Sequence, residues 1–381
     1  MNTAKKRLEY IDALRGFAIL CVVAGHSTGL WDNVHKMISA FLLPVFFVIS
    51  GFLFQYKNEA KLPFKTFLKK RFIGIMIPYF GFSIIALLYE ICAGGISNSV
   101  DWLVILRGVV QTVTFFGKST LWFLPALFFS ELIFFVICKY LKKTVWIVVI
   151  PLATGIFASV TPYFMGTGVF IMLWEAREGV PAPLLGFYIL HMILRVLYLL
   201  PFLSCGYIFS LLMKNKTGFK KWWVKAIEIT VSVVILAATY AAMQLNENVV
   251  DVRNLIAQYM PLALLFGMLS SCALLMIFMD MPKIPLIHEF LTLCGVYSLI
   301  IMATHLDYGI MTNAISYAAF RNQTVDHLKN YVFLFHIFII EAAFEIPIIY
   351  AINKFFPFLA GKGFAPYKQK KFKLVKDGDS E

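Results

Sequence analysis

About ten apolar runs, each roughly 20 residues long, divide this sequence, with short basic stretches between them. A helix needs about 20 apolar residues to cross a hydrocarbon core about 30 Å thick. In lipid every backbone N–H and C=O must also be satisfied within the segment, which favours helices over open sheets. The pattern therefore predicts an all-α, polytopic membrane protein with about ten transmembrane helices. The spans fall roughly at residues 11–31, 38–56, 72–93, 119–138, 144–163, 194–213, 226–245, 257–280, 291–311 and 331–353. Two further apolar segments, about 101–116 and 183–193, are short or lie beside Pro181 and Pro183, and read as interfacial or re-entrant pieces. The first run follows Lys5, Lys6 and Arg7 as a secretion signal would, but it is too long and many spans follow it. Only 14% of the 381 residues are charged, where a soluble domain carries about 25%. Residues 1–356 are thus expected to form one membrane-embedded domain, and 357–381 a basic tail in the cytoplasm, drawn to anionic membrane lipid.

The formal net charge is +13, yet the basic residues sit in the connections between apolar runs, so they describe topology rather than nucleic-acid binding. Threading the ten spans with the N-terminus inside puts 26 of the 34 Lys and Arg residues on the cytoplasmic side and 8 on the other. Both termini are accordingly expected in the cytoplasm. The six cysteines lie in or beside apolar segments with no CxxC pair, and read as free thiols. No zinc-ligand spacing, Gly-rich phosphate loop, nucleophile elbow or nucleotide-fold fingerprint occurs, so no metal is expected.

Ionisable side chains inside a membrane are costly, and are read first as functional. Arg15 and His26 in the first span are eleven positions apart, close to three helical turns, so they share a face about 16 Å apart along the axis. Arg15 offers a planar fork of donors suited to a phosphate or a carbonyl oxygen. His26 is suited to taking a proton from a hydroxyl near neutral pH. Asp12 precedes Arg15 by three positions, where an ion pair can hold it. On spacing alone a second reading stands beside this one, in which Arg15 marks the membrane boundary and His26 packs. Glu131 in the fourth span and Glu341 and Glu345 in the last need partners or protons. Glu131 or Glu341 could orient a histidine, or simply pack against donors nearby. His336 has no assigned role, and His35, His191, His288 and His327 are isolated at span ends or in loops.

The run Tyr10-Ile-Asp-Ala-Leu-Arg-Gly-Phe-Ala-Ile-Leu-Cys-Val-Val-Ala-Gly-His26 resembles the opening of the acyltransferase 3 family, polytopic enzymes that O-acylate surface glycans and related acceptors. Arg15 and His26 match the Arg and His that mark the family's first span. Further similarities follow in order: Pro44-Val-Phe-Phe-Val-Ile-Ser-Gly-Phe52, Lys70-Arg71 through Pro78-Tyr79, Leu121-Trp-Phe-Leu124, Leu200-Pro-Phe-Leu-Ser-Cys-Gly-Tyr207, and Gly295-Val-Tyr-Ser-Leu-Ile-Ile-Met-Ala-Thr-His305. Six matches in sequence cover nearly the whole chain. The resemblance implies transfer of a short acyl group from cytoplasmic acyl-CoA, acetyl-CoA first, to a hydroxyl of a carbohydrate acceptor. It makes His26 the general base or acyl carrier, and Arg15 the residue that orients the donor.

The resemblance also implies a multi-pass protein of the bacterial cell membrane, with homo-oligomers open. His305 lies about fourteen residues into its span, at a depth near that of His26, and could line the same cavity. Lys70 and Arg71 could hold nucleotide phosphates, or could be ordinary cytoplasmic-side basic residues. Gly74 stands where some relatives carry a second arginine. Trp122 and Tyr297 match motif positions, where aromatic residues also serve as interfacial anchors. The extracytoplasmic hydrolase-like domain of some members is not expected here. A secondary transporter or flippase also suits intramembrane His, Glu and Arg, though no internal repeat supports it. An inert assembly partner would have no need of Arg15 and His26 in phase.

Overall fold

A computed structural model of the protein describes residues 8–27, 32–97, 99–141, 143–165, 184–214, 221–247, 249–306, 308–321 and 329–362. It is 85% helical, with no strand among the described residues. The first helices are α1 (Glu9–His26), α2 (Asp32–Phe41), α3 (Pro44–Tyr56), α4 (Phe64–Arg71), α5 (Ile77–Ile96) and α6 (Trp102–Val113). The middle of the chain forms α7 (Phe123–Leu141), α8 (Thr144–Met165), α9 (Leu184–Lys214) and α10 (Trp222–Met243). The last are α11 (Met260–Asp280), α12 (Pro285–Val296), α13 (Ser298–Thr304), α14 (Ile310–Arg321) and α15 (Lys329–Phe355).

Among the described residues eight helical stretches are long and apolar enough to cross a membrane. The pair α12 and α13, bent by 64° at Tyr297, makes a ninth. The expected first span, α1, is not among these, because Glu9, Asp12 and Arg15 fall in its first two turns. The chain is therefore a polytopic, all-α membrane protein. Its outward helix faces carry large apolar side chains such as Val231, Val233, Val234 and Ile346, which lipid covers.

One expected boundary shifts. The stretch 183–193 is not a separate interfacial piece, because α9 begins at Leu184 and continues through Lys214 without interruption. The end of the expected first span (residues 28–31), the 166–183 connection with Arg177, His327, and most of the basic tail lie outside the described residues. Helix α6 is a separate apolar helix of 12 residues, too short at about 18 Å to cross the hydrocarbon.

The third span carries a π-helical turn for a local reason. A proline ring collides with the carbonyl four residues before it, and Pro78 therefore conflicts with Gly74. The backbone widens into a π-helical turn at Phe72–Met76, just before Pro78. Beside it, the C-terminal turn Pro357–Ala360 folds back onto α5, with Leu359 against Gly81.

The contact that positions the site is between α1 and α12. These helices run side by side in the same direction, with Glu9 beside Lys283 at one end and His26 beside His305 at the other. Gly16 and Gly295 allow their backbones to meet. A Cβ at Gly16 would lie 1.8 Å from Leu291 O, and one at Gly295 would lie 1.8 Å from Asp12 O. Small residues in this arrangement let helices pack closely where no hydrophobic effect draws them together.

Candidate active site

Helix α1 ends at His26, and its last turn orients the ring through a 2.9 Å contact between His26 Nδ1 and Val22 O. His305 follows α13, and its Nδ1 makes the equivalent contact with Ile301 O at 2.8 Å. A carbonyl can only accept, so both rings carry their proton on Nδ1 when neutral. His305 Nε2 is then an acceptor, 3.2 Å from His26 Nδ1. His26 is left with an unprotonated Nε2, which is the nitrogen a general base uses. The single Nδ1 hydrogen of His26 is shared between Val22 O and His305 Nε2, and a proton taken on Nε2 strengthens both contacts. The ring centroids are 5.1 Å apart. His305 is fully buried, whereas His26 is accessible from a cavity.

The cavity has a volume of about 340 Å³. Its lining brings together the end of α1, the helix α2 with His35 and Ser39, the turn Ser119–Trp122, and the loop 249–254 with Asp251, Arg253 and Asn254. Loop 249–254 is folded by its own polar groups. Asp251 accepts from Asn254 N at 3.0 Å and from Asn254 Nδ2 at 2.6 Å. The Asp251 and Ile256 backbones exchange two bonds of 2.9 Å, and Val250 N donates to Ser39 Oγ at 3.0 Å. Thr120 Oγ1 donates to Met302 O at 2.8 Å, tying the Trp122 turn to α13. On the far side of His305, Thr304 Oγ1 donates to the Glu345 carboxylate at 2.7 Å.

Arg15 does not line this cavity. Its guanidinium lies 3.8 Å from Asp12, the expected partner, toward the other end of α1. The basic residues of that end converge there. Lys57 lies within electrostatic reach of Arg15, Lys70 and Arg71; burial and then Lys70 hold its ammonium below the ordinary lysine value. Lys70 Nζ is 2.5 Å from Glu59 Oε1, and Arg71 bridges Glu59 Oε2 at 2.6 Å and Glu131 Oε2 at 2.8 Å. Ser50 donates to the second oxygen of Glu131. Glu131 is therefore the partner of an arginine and a serine, not the group that orients a histidine. Glu341 is buried and makes no hydrogen bond among the described residues. Tyr297 is half-buried at the bend between α12 and α13, outside the cavity, while Trp122 is part of its wall.

The sequence reading missed Arg195. It is fully buried on α9, with Nη1 donating to Phe116 O at 3.0 Å and Nε and Nη2 donating to Arg253 O at 3.0 and 2.6 Å. His191 Nε2 shares the Arg253 carbonyl at 2.9 Å. The same guanidinium lies 4.5 Å from the centroid of the Trp122 ring and 4.9 Å from that of Phe116. Drawing the span boundary at residue 194 put this arginine at a loop edge. Seeing α9 as one helix puts it well inside, where a charge demands an explanation.

The bundle thus holds a two-histidine cavity at one end of α1 and a basic cluster at the other. The chain belongs to the acyltransferase 3 family: the family's acyltransferase domain matches residues 8–361, nearly the whole protein. No curated protein and no solved structure matches it. The protein is thus a membrane acyltransferase. Among the described residues no group of three or more His, Cys, Asp or Glu side chains is set to hold a metal.

Proposed function

We propose that the protein is an O-acyltransferase of the bacterial cell membrane. It moves an acetyl, or another short acyl group, from cytoplasmic acyl-CoA to a hydroxyl of a cell-surface carbohydrate or its lipid-linked precursor. The observation that carries this reading is the pairing of His26 with His305 beside a cavity, with Arg15 about 16 Å from His26 along the same helix. On this reading both termini are cytoplasmic, so Arg15, Lys57, Lys70 and Arg71 lie on the inner side and the cavity lies toward the outer side. The basic cluster holds the phosphates of the donor. The cavity receives the acceptor, with Trp122 as a flat apolar face and Asp251, Asn254 and Ser39 as hydrogen-bonding groups, a combination suited to a sugar.

The step balances simply. His26 Nε2 takes the proton from the acceptor hydroxyl as its oxygen attacks the thioester carbonyl. The C–S bond breaks, the ester forms, and the departing thiolate receives the proton from the imidazolium. His305 Nε2 accepts from His26 Nδ1 while the ring is positive, so the charge is not left unpartnered. A variant of this path passes the acyl group through His26; acyl-histidine trapped by rapid quench would select it, and its absence would select direct transfer.

The test supplies radiolabelled acetyl-CoA to membranes holding the intact protein, with His26→Ala and Arg15→Ala variants at equal abundance. Label in a base-labile glycan ester, lost in both variants, supports the reading. No label with any short acyl-CoA, with native glycan supplied, would sink it and turn attention to transport.

A further inference from the structure

We propose that Arg195 is a positioning residue that holds the acceptor-facing wall of the cavity, and that loop 249–254 is the acceptor-recognition element of that wall. The proposal rests on the acyltransferase reading for its substrate, and on the following geometry for its mechanism.

Two walls of the cavity come from segments distant in sequence, the turn carrying Trp122 and the loop carrying Asp251, Arg253 and Asn254. One side chain grips both. The Arg195 guanidinium spends two N–H donors on the Arg253 carbonyl and one on the Phe116 carbonyl, just ahead of the Trp122 turn, while its flat face covers the Trp122 ring. It makes no ion pair with a carboxylate among the described residues. Its charge is answered by carbonyl dipoles and aromatic faces, which is an arrangement a planar guanidinium can satisfy and an ammonium cannot.

Loop 249–254 belongs to the irregular connection between α10 and α11, and it closes the cavity at that end of the bundle. Its internal bonds fold it, but they do not fix its distance from Trp122. Arg195 and His191, both on α9 and one helical turn apart, meet at the single carbonyl of Arg253 and do fix it. Asp251 and Asn254 are locked to each other, so they present fixed donors and acceptors rather than mobile ones. A wall built this way discriminates between hydroxylated acceptors by where their hydroxyls fall.

The experiment compares wild type, Arg195→Lys, Arg195→Met and Asn254→Ala in nanodiscs. Backbone hydrogen exchange across residues 249–256 is read by mass spectrometry. Acyl transfer from acetyl-CoA is measured against the glycan fraction of native membranes, titrated by sugar content. Exchange in 249–256 should quicken at least tenfold in Arg195→Met and less in Arg195→Lys, with α1 and α12 unchanged. The acceptor KM should rise at least tenfold in Arg195→Met, and also in Asn254→Ala, while the KM for acetyl-CoA stays within twofold. Unchanged exchange in the loop, or equal rises in donor and acceptor KM, overturns the proposal. Should Arg195→Met fail to fold, Arg195→Lys and Asn254→Ala decide it by the same measures. A wild type inactive toward acetyl-CoA would fell the proposed donor alone, because the exchange measurement still decides whether Arg195 holds the wall.

Discussion

His26 and His305 are 279 positions apart in sequence, and their facing nitrogens are 3.2 Å apart in space. Only one of them opens to the cavity, and this makes their contributions unequal. His26→Ala removes the base itself and should lower the transfer rate by about 10²- to 10⁴-fold. His305→Ala removes the acceptor that stabilises the charged ring, and should cost less, about tenfold. Turnover of labelled acetyl-CoA at equal protein abundance checks the order; a His305 variant as damaged as the His26 variant would mean that both rings react.

The meeting of Gly16 and Gly295 determines whether those two rings can meet at all. A side chain at either glycine would run into the opposing backbone at 1.8 Å, where no rotamer offers escape. Gly16→Leu should therefore destabilise the bundle by about 1–3 kcal/mol or more, the usual cost of overpacking, and reduce transfer even if the protein still inserts. Thermal unfolding in detergent alongside activity tests it. A Gly16→Leu protein with normal melting and normal turnover would show that the helices do not pack as described.

Arg71 holds two buried carboxylates. Arg71→Met strands Glu131 and should destabilise the protein by about 3–5 kcal/mol, while Arg71→Met combined with Glu131→Leu should recover much of that loss. Melting temperatures of the single and double variants provide the comparison. An additive double variant would contradict the coupling.

Lys57 supplies a pH dependence with a definite sign. Burial holds its folded pKa below the ordinary lysine value, so at alkaline pH the unfolded chain binds more protons than the folded one. Its contribution to stability therefore rises with pH, and is least favourable below the lowered pKa, where the partly desolvated amine is charged beside Lys70. If donor phosphates bind beside it, they restore its charge, and acetyl-CoA binding near that pKa should take up a proton. Calorimetry in buffers of different ionisation enthalpy measures this; no uptake, or uptake retained in Lys57→Met, would remove Lys57 from the donor site.

Apolar run length alone located nearly every membrane helix, because lipid leaves a backbone few alternatives. The partnership of Arg15 with Asp12 was legible for a similar reason, since both lie on one helix with known spacing. Depth along two spans suggested that His305 could approach His26. Partners brought together by packing were not legible. Nothing near Glu131 in sequence announces Arg71 or Ser50, and the carbonyls that satisfy Arg195 belong to Phe116 and Arg253, residues unremarkable by type. Hydropathy also misjudged where α9 begins, since two prolines look alike whether they break a helix or precede one.

Helix α1 is finally a spacer of fixed length. Arg15 and His26 stand on one rigid rod, so the gap of about 16 Å between them is fixed. On the proposed reading a donor must be gripped at one end and react at the other, and its contour becomes the criterion of admission. A long, narrow arm between an anionic head and a thioester meets that requirement, whereas a compact activated acyl compound such as acetyl phosphate reaches one end of the rod or the other, never both.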